Sequence, residues 1–222
     1  MGDMRSRCRD YLLHDELEGA DIVIRTDLFS GDAWKELSEN DWYYMLTGGY
    51  FFLHLLKHNG MMLHASAVEL DGRAYLFSAP CGTGKSTHTR LWQSVFGDRA
   101  RVFNDDKPPL RCIDGVWYAY GSPWCGKDGI NINMKAPLAG ICFLKQAPEN
   151  RIRRLSTQEA AQFVISQTQR KYKLIENLER MLSHVDKLVR TIPVYELENR
   201  PEPAAVQLSY ETMRRGAEEM GL

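Results

Sequence analysis

The chain has 222 residues, of which 44% are hydrophobic and 26% are charged. Its length fits one domain, or one domain with a short extension, and its hydrophobic fraction excludes wholesale disorder. The 28 Lys and Arg residues nearly balance the 29 Asp and Glu residues, so the net charge is -1. This balance argues against a general nucleic-acid binder. The longest apolar runs are far too short to span a membrane, so no membrane association is expected.

The cysteine content and the N-terminus both indicate a reducing compartment. The number of cysteines is five, and no two of them form a CxxC pair, so neither a disulfide framework nor a zinc site is predicted. The first residues lack the apolar core of a signal peptide. We therefore expect a cytoplasmic protein.

The first 60 residues are predicted to form an extension. Asp21–Arg25 has the composition of a short strand, and Ser38–His58 that of an apolar helix with an acidic start. The pair Gly48-Gly49 is expected to break or kink this helix. We expect residues 1–60 to form a strand and helix packed on a core domain that covers residues 61–222.

Two pairs of apolar runs are each joined by an Asp-Gly dipeptide, at Asp71-Gly72 and at Asp114-Gly115. Asp-Gly is typical of the tight turn of a β-hairpin. The four predicted strands cover Met62–Leu70, Arg73–Ser78, Pro109–Ile113 and Val116–Tyr120, and Ala139–Leu144 is predicted to be a further buried strand. Consecutive hairpins indicate an α/β fold with a mixed, largely antiparallel sheet rather than a doubly wound parallel one.

The last third of the chain is predicted to be mainly helical. Ser156–Glu159 has the form of a capping box. A strand is expected at Val194–Leu197 and a closing helix at Pro203–Met220. Between these elements, apolar residues at helical spacing are expected to face the core, namely Ile175, Leu178, Leu182, Val185 and Val189.

The most specific motif is the segment Ala79–Ser86, which matches the Walker A pattern except that Ala79 replaces the first glycine. It lies between a predicted strand and a predicted helix, where backbone N–H groups can surround a polyphosphate. In such a loop Lys85 neutralises the phosphates and Ser86 binds Mg²⁺. The predicted phosphate-binding residues are Cys81, Gly82, Thr83, Gly84, Lys85, Ser86 and Thr87. The alternative is a chance glycine turn before a helix.

Two adjacent acids, Asp105 and Asp106, end a short apolar run that begins at Arg101. A carboxylate near a phosphate loop can bind the Mg²⁺ of a nucleotide, and a second can accept the proton of an attacking hydroxyl. The predicted metal ligands are therefore Ser86, Asp105 and Asp106. Taken alone, Asp-Asp-Lys-Pro is also typical of a surface turn.

These motifs together resemble the HPr kinase/phosphorylase family, whose core is related to phosphoenolpyruvate carboxykinase. The resemblance runs from about Leu63 to Leu144 and rests on His64, Cys81–Ser86 and Asn104–Asp106. The chain also looks like the small HPr kinase-related proteins, which often contain a segment like Gly121–Lys127. Some members of that group phosphorylate ribosomally made peptides or free serine.

The resemblance implies a fold like the HPr kinase C-terminal domain and a role for each matching residue. Lys85 would bind the phosphates, and His64 would lie near the transferring phosphate. Asp105 would be the base toward the acceptor hydroxyl or share the metal, and Asp106 would assist with the metal. Lys127 lies in a turn-rich segment, where a lysine can grip the γ-phosphate or simply face solvent.

The predicted function is that of a kinase that uses ATP and Mg²⁺ to phosphorylate a hydroxyl, with serine in a peptide, a protein or a small molecule as acceptor. The predicted catalytic residues are Asp105, Lys85, His64 and Lys127. The alternative is a nucleotide-binding regulatory or accessory module without phosphotransfer. A carboxykinase activity is disfavoured by the chain length, and a homo-oligomer is possible.

Overall fold

The computed structural model describes residues 3–5, 10–15, 20–25, 38–80, 82–126, 128–168 and 174–222. The chain divides into two compact units, Met1–Phe51 and Phe52–Leu222. In the first unit, three strands form an antiparallel sheet: β1 (Asp3–Arg5), β2 (Asp10–Asp15) and β3 (Ala20–Arg25). The strand predicted at Asp21–Arg25 is therefore present. The packing of residues 1–60 on the core stays a prediction.

The helix predicted from Ser38 is α1 (Glu39–Leu55), and a 3₁₀ turn, Leu56–His58, continues it. The Ser38 hydroxyl accepts a hydrogen bond from the Asp41 backbone N–H at 3.2 Å, which satisfies a helix-start donor. The prediction that Gly48-Gly49 would break the helix is wrong, because the helix continues through both residues. Each glycine costs about 1 kcal/mol relative to alanine, and burial of Phe52 and Leu55 near the helix end offsets that cost.

The second unit is built on a sheet to which nine of the described strands belong. They are β4 (Gly60–Met62), β5 (Ala65–Leu70), β6 (Arg73–Ser78), β7 (Ala100–Asn104), β8 (Pro109–Ile113), β9 (Val116–Tyr120), β10 (Lys135–Gln146), β11 (Arg151–Arg154) and β12 (Val194–Asn199). The order is β4-β8-β9-β10-β6-β5-β7, with β12 beside β10 and β11 beside β12. Only the β6–β10 and β10–β12 pairs among these described strands are parallel, which confirms a mixed, largely antiparallel sheet.

Both predicted Asp-Gly hairpins are present. Asp71 and Gly72 have φ angles of 52° and 80°, and Asp114 and Gly115 have 50° and 87°, as a type I′ turn requires. The run predicted as a single strand, Met62–Leu70, is divided after Met62: β4 pairs with β8, whereas β5 pairs with β6 and β7. This division leaves His64 between the two strands.

Four helices cover the two faces of this sheet in the described part of the second unit: α2 (Lys85–Phe96), α3 (Thr157–Gln167), α4 (Ile175–Thr191) and α5 (Pro203–Glu219). Ser156 and Glu159 form the predicted capping box at the start of α3. One core cluster contains residues of α3 and α4, and the other contains residues of α2 and α5. Within the described residues, no helix combines the length and apolar character needed to cross a lipid bilayer.

The prediction for α4 is correct for part of its apolar set. Val185 and Val189 are buried, but Ile175, Leu178 and Leu182 are 75%, 39% and 43% exposed. The buried face also contains Met181 and Leu188, which share a helical spacing of three to four residues with Val185 and Val189. The apolar arc of α4 is therefore wider than the face that packs on the core, and the periodicity alone did not locate that face.

Strand directions bring four chain segments to one edge of the sheet. β6 and β7 are both antiparallel to β5, so their C-terminal ends lie on the same side. β10 is parallel to β6, and β12 is parallel to β10, so these two strands end there as well. Ligands of open α/β sheets bind at the carboxyl ends of parallel strands. A functional site is therefore expected at this edge.

Candidate active site

The segment between β6 and α2 is a tight glycine-containing turn. Gly82 and Gly84 have φ angles of 80° and 111°, which glycine adopts without the steric cost that other residues incur. Helix α2 begins at Lys85, directly after Gly84. Ser86 is half-buried and Thr87 is exposed. Cys81 lies outside the described residues.

The Lys85 side chain is held against the turn that precedes it. Its Nζ donates a hydrogen bond to the Ala79 carbonyl at 2.9 Å, and the residue is only 9% exposed. Ala79, which replaces the first Walker glycine, is itself buried. The turn therefore places an ammonium group and the N–H groups at the start of α2 on one side of the sheet edge, an arrangement that favours an anion.

The paired acids lie at the same edge as this turn. Ser78 of β6 pairs with Ala65 of β5, and Asn104 of β7 pairs with Ala67 on the other side of β5. The two loops that follow β6 and β7 are thus separated by one strand, or roughly 10 Å. The backbone N–H of Ala65 also donates to the Asp106 carbonyl at 3.0 Å.

Side-chain hydrogen bonds fasten both loops to the start of β5. The Ser66 hydroxyl donates to the Asp105 carbonyl at 3.0 Å. The Ser78 hydroxyl donates to the His64 carbonyl at 2.7 Å. Ser66 and Ser78 are buried, so these bonds are shielded from water. The position of the acids relative to the glycine turn is therefore set by the sheet itself.

Asn104 fixes the turn that presents the two acids. Its Oδ1 accepts the backbone N–H groups of Asp106 at 3.1 Å and of Lys107 at 2.8 Å. Its Nδ2 donates to the Ser122 Oγ and the Trp124 carbonyl, both at 3.2 Å. Asn104 is fully buried. One amide therefore joins the acidic turn to the Ser122–Trp124 segment.

Asp105 is 6% exposed and faces that same segment. Its Oδ1 accepts a hydrogen bond from the Gly126 backbone N–H at 2.6 Å. A Cβ on Gly126 would lie 2.9 Å from Asp105 Oδ2, closer than such contacts allow. The close approach of the loop to this carboxylate therefore requires glycine at position 126.

Asp106 belongs to a different group of side chains. Its Oδ1 lies 3.2 Å from His64 Nε2, and its Oδ2 lies 3.1 Å from Lys107 Nζ. The hydrogen bond from His64, with help from Lys107, lowers the pKa of Asp106 to about 2. The other ring nitrogen of His64 lies 3.0 Å from Gln167 Oε1 at the end of α3. Asp106 is therefore ionised at neutral pH and already paired.

Lys127 lies outside the described residues, but both of its neighbours are held at this edge. Gly126 is bonded to Asp105, and Asp128 forms an ion pair of 2.8 Å with Arg90 of α2. Trp124 is half-buried and packs edge-on against Phe52, with 5.7 Å between the ring centroids.

The donor chemistry of this edge fits Mg²⁺ at Ser86 and Asp105 better than at Asp106. Hydroxyl and carboxylate oxygens are the ligands that Mg²⁺ prefers, together with phosphate oxygens and water. Both oxygens of Asp106 are engaged by His64 and Lys107. The described residues contain no group of three or more His, Cys, Asp and Glu side chains that could hold a metal by themselves.

Several residues of this site were missed by sequence reasoning. Gln167 reaches His64 from α3, and Ser122 contacts Asn104 from the loop after β9. No local pattern marks either residue, since each acts on a partner far away in the sequence. Asn104 carried a usable signal, because an Asn before two polar residues at a strand end is typical of an Asx turn.

The fold and the site define a class: a mixed α/β domain with a glycine-containing strand–turn–helix segment and an acid pair at one sheet edge. The chain belongs to the ScmC family, because the family model described as "SynChlorMet cassette protein ScmC" matches residues 45–200. This is a different family from the HPr kinases that the motifs resemble.

Two further comparisons were made with known proteins. No curated protein matches the chain. Among solved structures, the chain is similar to the Hpr(Ser) kinase/phosphatase from Coxiella burnetii, with 11% identity and a TM-score of 0.43 over 72% of this chain and 93% of that chain. A likeness below a TM-score of 0.5 supports no conclusion about function, so the proposals below rest on the residues of this chain.

Proposed function

We propose that this protein is a phosphotransferase that uses ATP and Mg²⁺ to phosphorylate a hydroxyl group, with serine in a peptide, a protein or a small molecule as the acceptor. The single observation that supports this most is the shared sheet edge: the turn holding Lys85 and the turn holding Asp105 flank the start of β5. Phosphoryl transfer relies on a cationic phosphate site together with a carboxylate that binds the metal or accepts the hydroxyl proton.

In this proposal the glycine turn and Lys85 bind the phosphates of the nucleotide. The N–H groups at the start of α2 point toward the anion, and the Lys85 ammonium neutralises its charge. Bound Mg²⁺ would be held by Ser86 and Asp105 and would reduce the charge on the transferring phosphate. The contribution of the protein is positioning and electrostatic stabilisation rather than covalent chemistry.

We assign different roles to the two acids. Asp105 is the carboxylate that faces the reacting groups, where it binds the metal or accepts the hydroxyl proton. Asp106 positions His64 and Lys107, because a carboxylate with a pKa of about 2 is a weak proton acceptor. Lys127 stays a candidate γ-phosphate ligand, supported by the placement of Gly126 beside Asp105.

A cytoplasmic location goes with this proposal, since ATP is the donor.

The test is transfer of label from γ-labelled ATP in the presence of Mg²⁺, screened against free serine, peptide libraries and a lysate of the source cell. A labelled acceptor that depends on the protein supports the proposal. Tight ATP binding without a labelled product from any acceptor would instead favour the regulatory module that was the alternative from the sequence.

A further inference from the structure

A second feature of the same sheet edge is a cavity of about 400 Å³ beside the glycine turn. Its walls come from the turn and the first residues of α2, from the end of β10 and from the residues that follow β12. This volume lies in the range of small-molecule sites. The acid pair does not line the cavity.

The strand order places the cavity and the acids on opposite sides of the turn. β12, β10, β6, β5 and β7 lie side by side in that order near this edge. The cavity is at the ends of β10 and β12, whereas the acids follow β7. A ligand whose phosphates occupy the turn after β6 would therefore have one end directed at the cavity and the other at Asp105.

The walls of the cavity have both apolar and polar character. Leu144 and Ala147 supply apolar surface, and Asn199 and Arg200 supply amide and guanidinium groups. Gln146 Nε2 donates to the Thr83 carbonyl at 3.2 Å, so the end of β10 is tied to the turn. The Arg200 side chain is 59% exposed, and its Nε lies 3.8 Å from Glu202 Oε2. An exposed guanidinium can stack on an aromatic ring.

A buried histidine of α2 contributes to the lining of the cavity. His88 lines the cavity and is 2% exposed. The Trp92 indole N–H donates to His88 Nε2 at 3.2 Å, so in the neutral ring the proton is on Nδ1. This Nδ1 is buried and has no hydrogen-bond partner among the described residues.

From this arrangement we propose that the cavity is the nucleoside subsite: it receives the base and sugar of the nucleotide whose phosphates lie on the glycine turn, with Ala147 forming part of its floor and Arg200 its rim. This inference rests on the proposed function, because it assumes that the turn binds a polyphosphate. It adds the location of the nucleoside of that donor, which the proposed function does not give.

The experiment is isothermal titration calorimetry of the full chain with Mg²⁺, using ATP and inorganic tripolyphosphate as the two probes. The wild-type protein is expected to bind ATP at least about tenfold more tightly than tripolyphosphate, because only ATP fills the cavity. Ala147→Phe, which places a ring in the cavity, is expected to bring the affinity for ATP close to that for tripolyphosphate and to leave the latter unchanged.

A second variant protects the test against misfolding of Ala147→Phe. Arg200→Ala removes an exposed side chain at the rim and is expected to weaken ATP binding severalfold, with tripolyphosphate binding unchanged. Arg180→Ala, a surface substitution on α4, is the matched control and is expected to change neither affinity.

The outcomes separate the two proposals. If wild-type protein binds both probes equally, or if Ala147→Phe and Arg200→Ala leave ATP affinity intact, the nucleoside subsite is elsewhere and this inference fails while the phosphate site stands. A parallel loss of both probes in the folded variants also overturns it, since the substitutions then act on the turn. If wild-type protein binds neither probe, the proposed function itself is wrong.

Discussion

His64 Nε2 lies 3.2 Å from Asp106 Oδ1, and this contact separates the roles of two adjacent acids. Asp105 turns toward the loop after β9, whereas Asp106 turns toward His64, the residue before β5. We expect Asp106→Asn to lower kcat by roughly tenfold to hundredfold through loss of positioning, with little change in the KM for ATP. The measurement is steady-state phosphotransfer, and Asp98→Asn, an exposed acid outside the site, is the control.

A positioning role also predicts a specific pattern among variants at this pair. His64→Ala should reproduce the loss in kcat, and the double variant should be no worse than either single one. If the losses in kcat of the two single variants add fully in the double variant, His64 and Asp106 do not act as a unit. Asp106 then has a separate role.

Substitutions of Lys85 and Asp105 are expected to impair different steps, namely nucleotide binding and phosphoryl transfer. Lys85→Ala should weaken binding of ATP and of tripolyphosphate together, because the cation that neutralises the phosphates is lost. Asp105→Asn should abolish transfer while ATP binding without Mg²⁺ is preserved. Calorimetry with and without Mg²⁺, combined with the transfer assay, measures both effects.

The Mg²⁺ titration of Asp105→Asn separates its two remaining roles. A raised Mg²⁺ requirement for ATP binding identifies a metal ligand, whereas a normal requirement with no turnover identifies the proton acceptor. Lys187→Ala on the exposed face of α4 is the control. Near-normal turnover of Lys85→Ala or Asp105→Asn would contradict the assignment of both residues.

Position 126 is expected not to tolerate even the methyl side chain of alanine. A Cβ there would lie 2.9 Å from Asp105 Oδ2, so Gly126→Ala must displace the carboxylate or the loop. We expect a loss of at least about tenfold in kcat and a cost of about 1–3 kcal/mol in the free energy of unfolding. The control is Gly49→Ala, where a Cβ meets no atom within 4 Å, and that change should be neutral or stabilising.

The buried His88 predicts a loss of stability in acid. Desolvation lowers its pKa from 6.5 to about 4 in the folded state. Between these two values the unfolded chain binds more protons, so stability is full above pH 6.5 and falls as the pH drops toward 4. The change of about 2.5 pKa units corresponds to about 3 kcal/mol over that window.

His88→Gln isolates this effect, because the glutamine amide can still accept the Trp92 hydrogen bond but does not titrate. Urea unfolding at pH 7 and pH 4.5 should show wild-type protein losing about 2–3 kcal/mol more than the variant between these conditions. Equal losses in the two proteins would mean that His88 is not held neutral by burial.

Helix α4 offers a test of which apolar residues belong to the core. Met181 is 1% exposed, whereas its neighbour Leu182 is 43% exposed. Met181→Ala should cost about 2–5 kcal/mol in the free energy of unfolding, while Leu182→Ala should change it by less than about 1 kcal/mol. Comparable losses would indicate that another chain covers Leu182.

The features that local chemistry decides could be predicted from the sequence. Both Asp-Gly turns, the capping box at Ser156 and the glycine turn before Lys85 depend on residues within a few positions of each other. The largely antiparallel sheet followed from the same turns, because a two-residue loop can join only antiparallel strands. The candidate phosphate residues and the acid pair were identified at this level.

The rest was decided by tertiary structure, for the physical reason that strand register and packing are non-local. The register of β5 against β6 and β7 brings His64 to Asp106 and places the acids one strand from the glycine turn. Packing selects the buried side of α4, which periodicity left open. The contact of Asp105 with Gly126 and the cavity at the ends of β10 and β12 arise only when distant segments reach the same sheet edge.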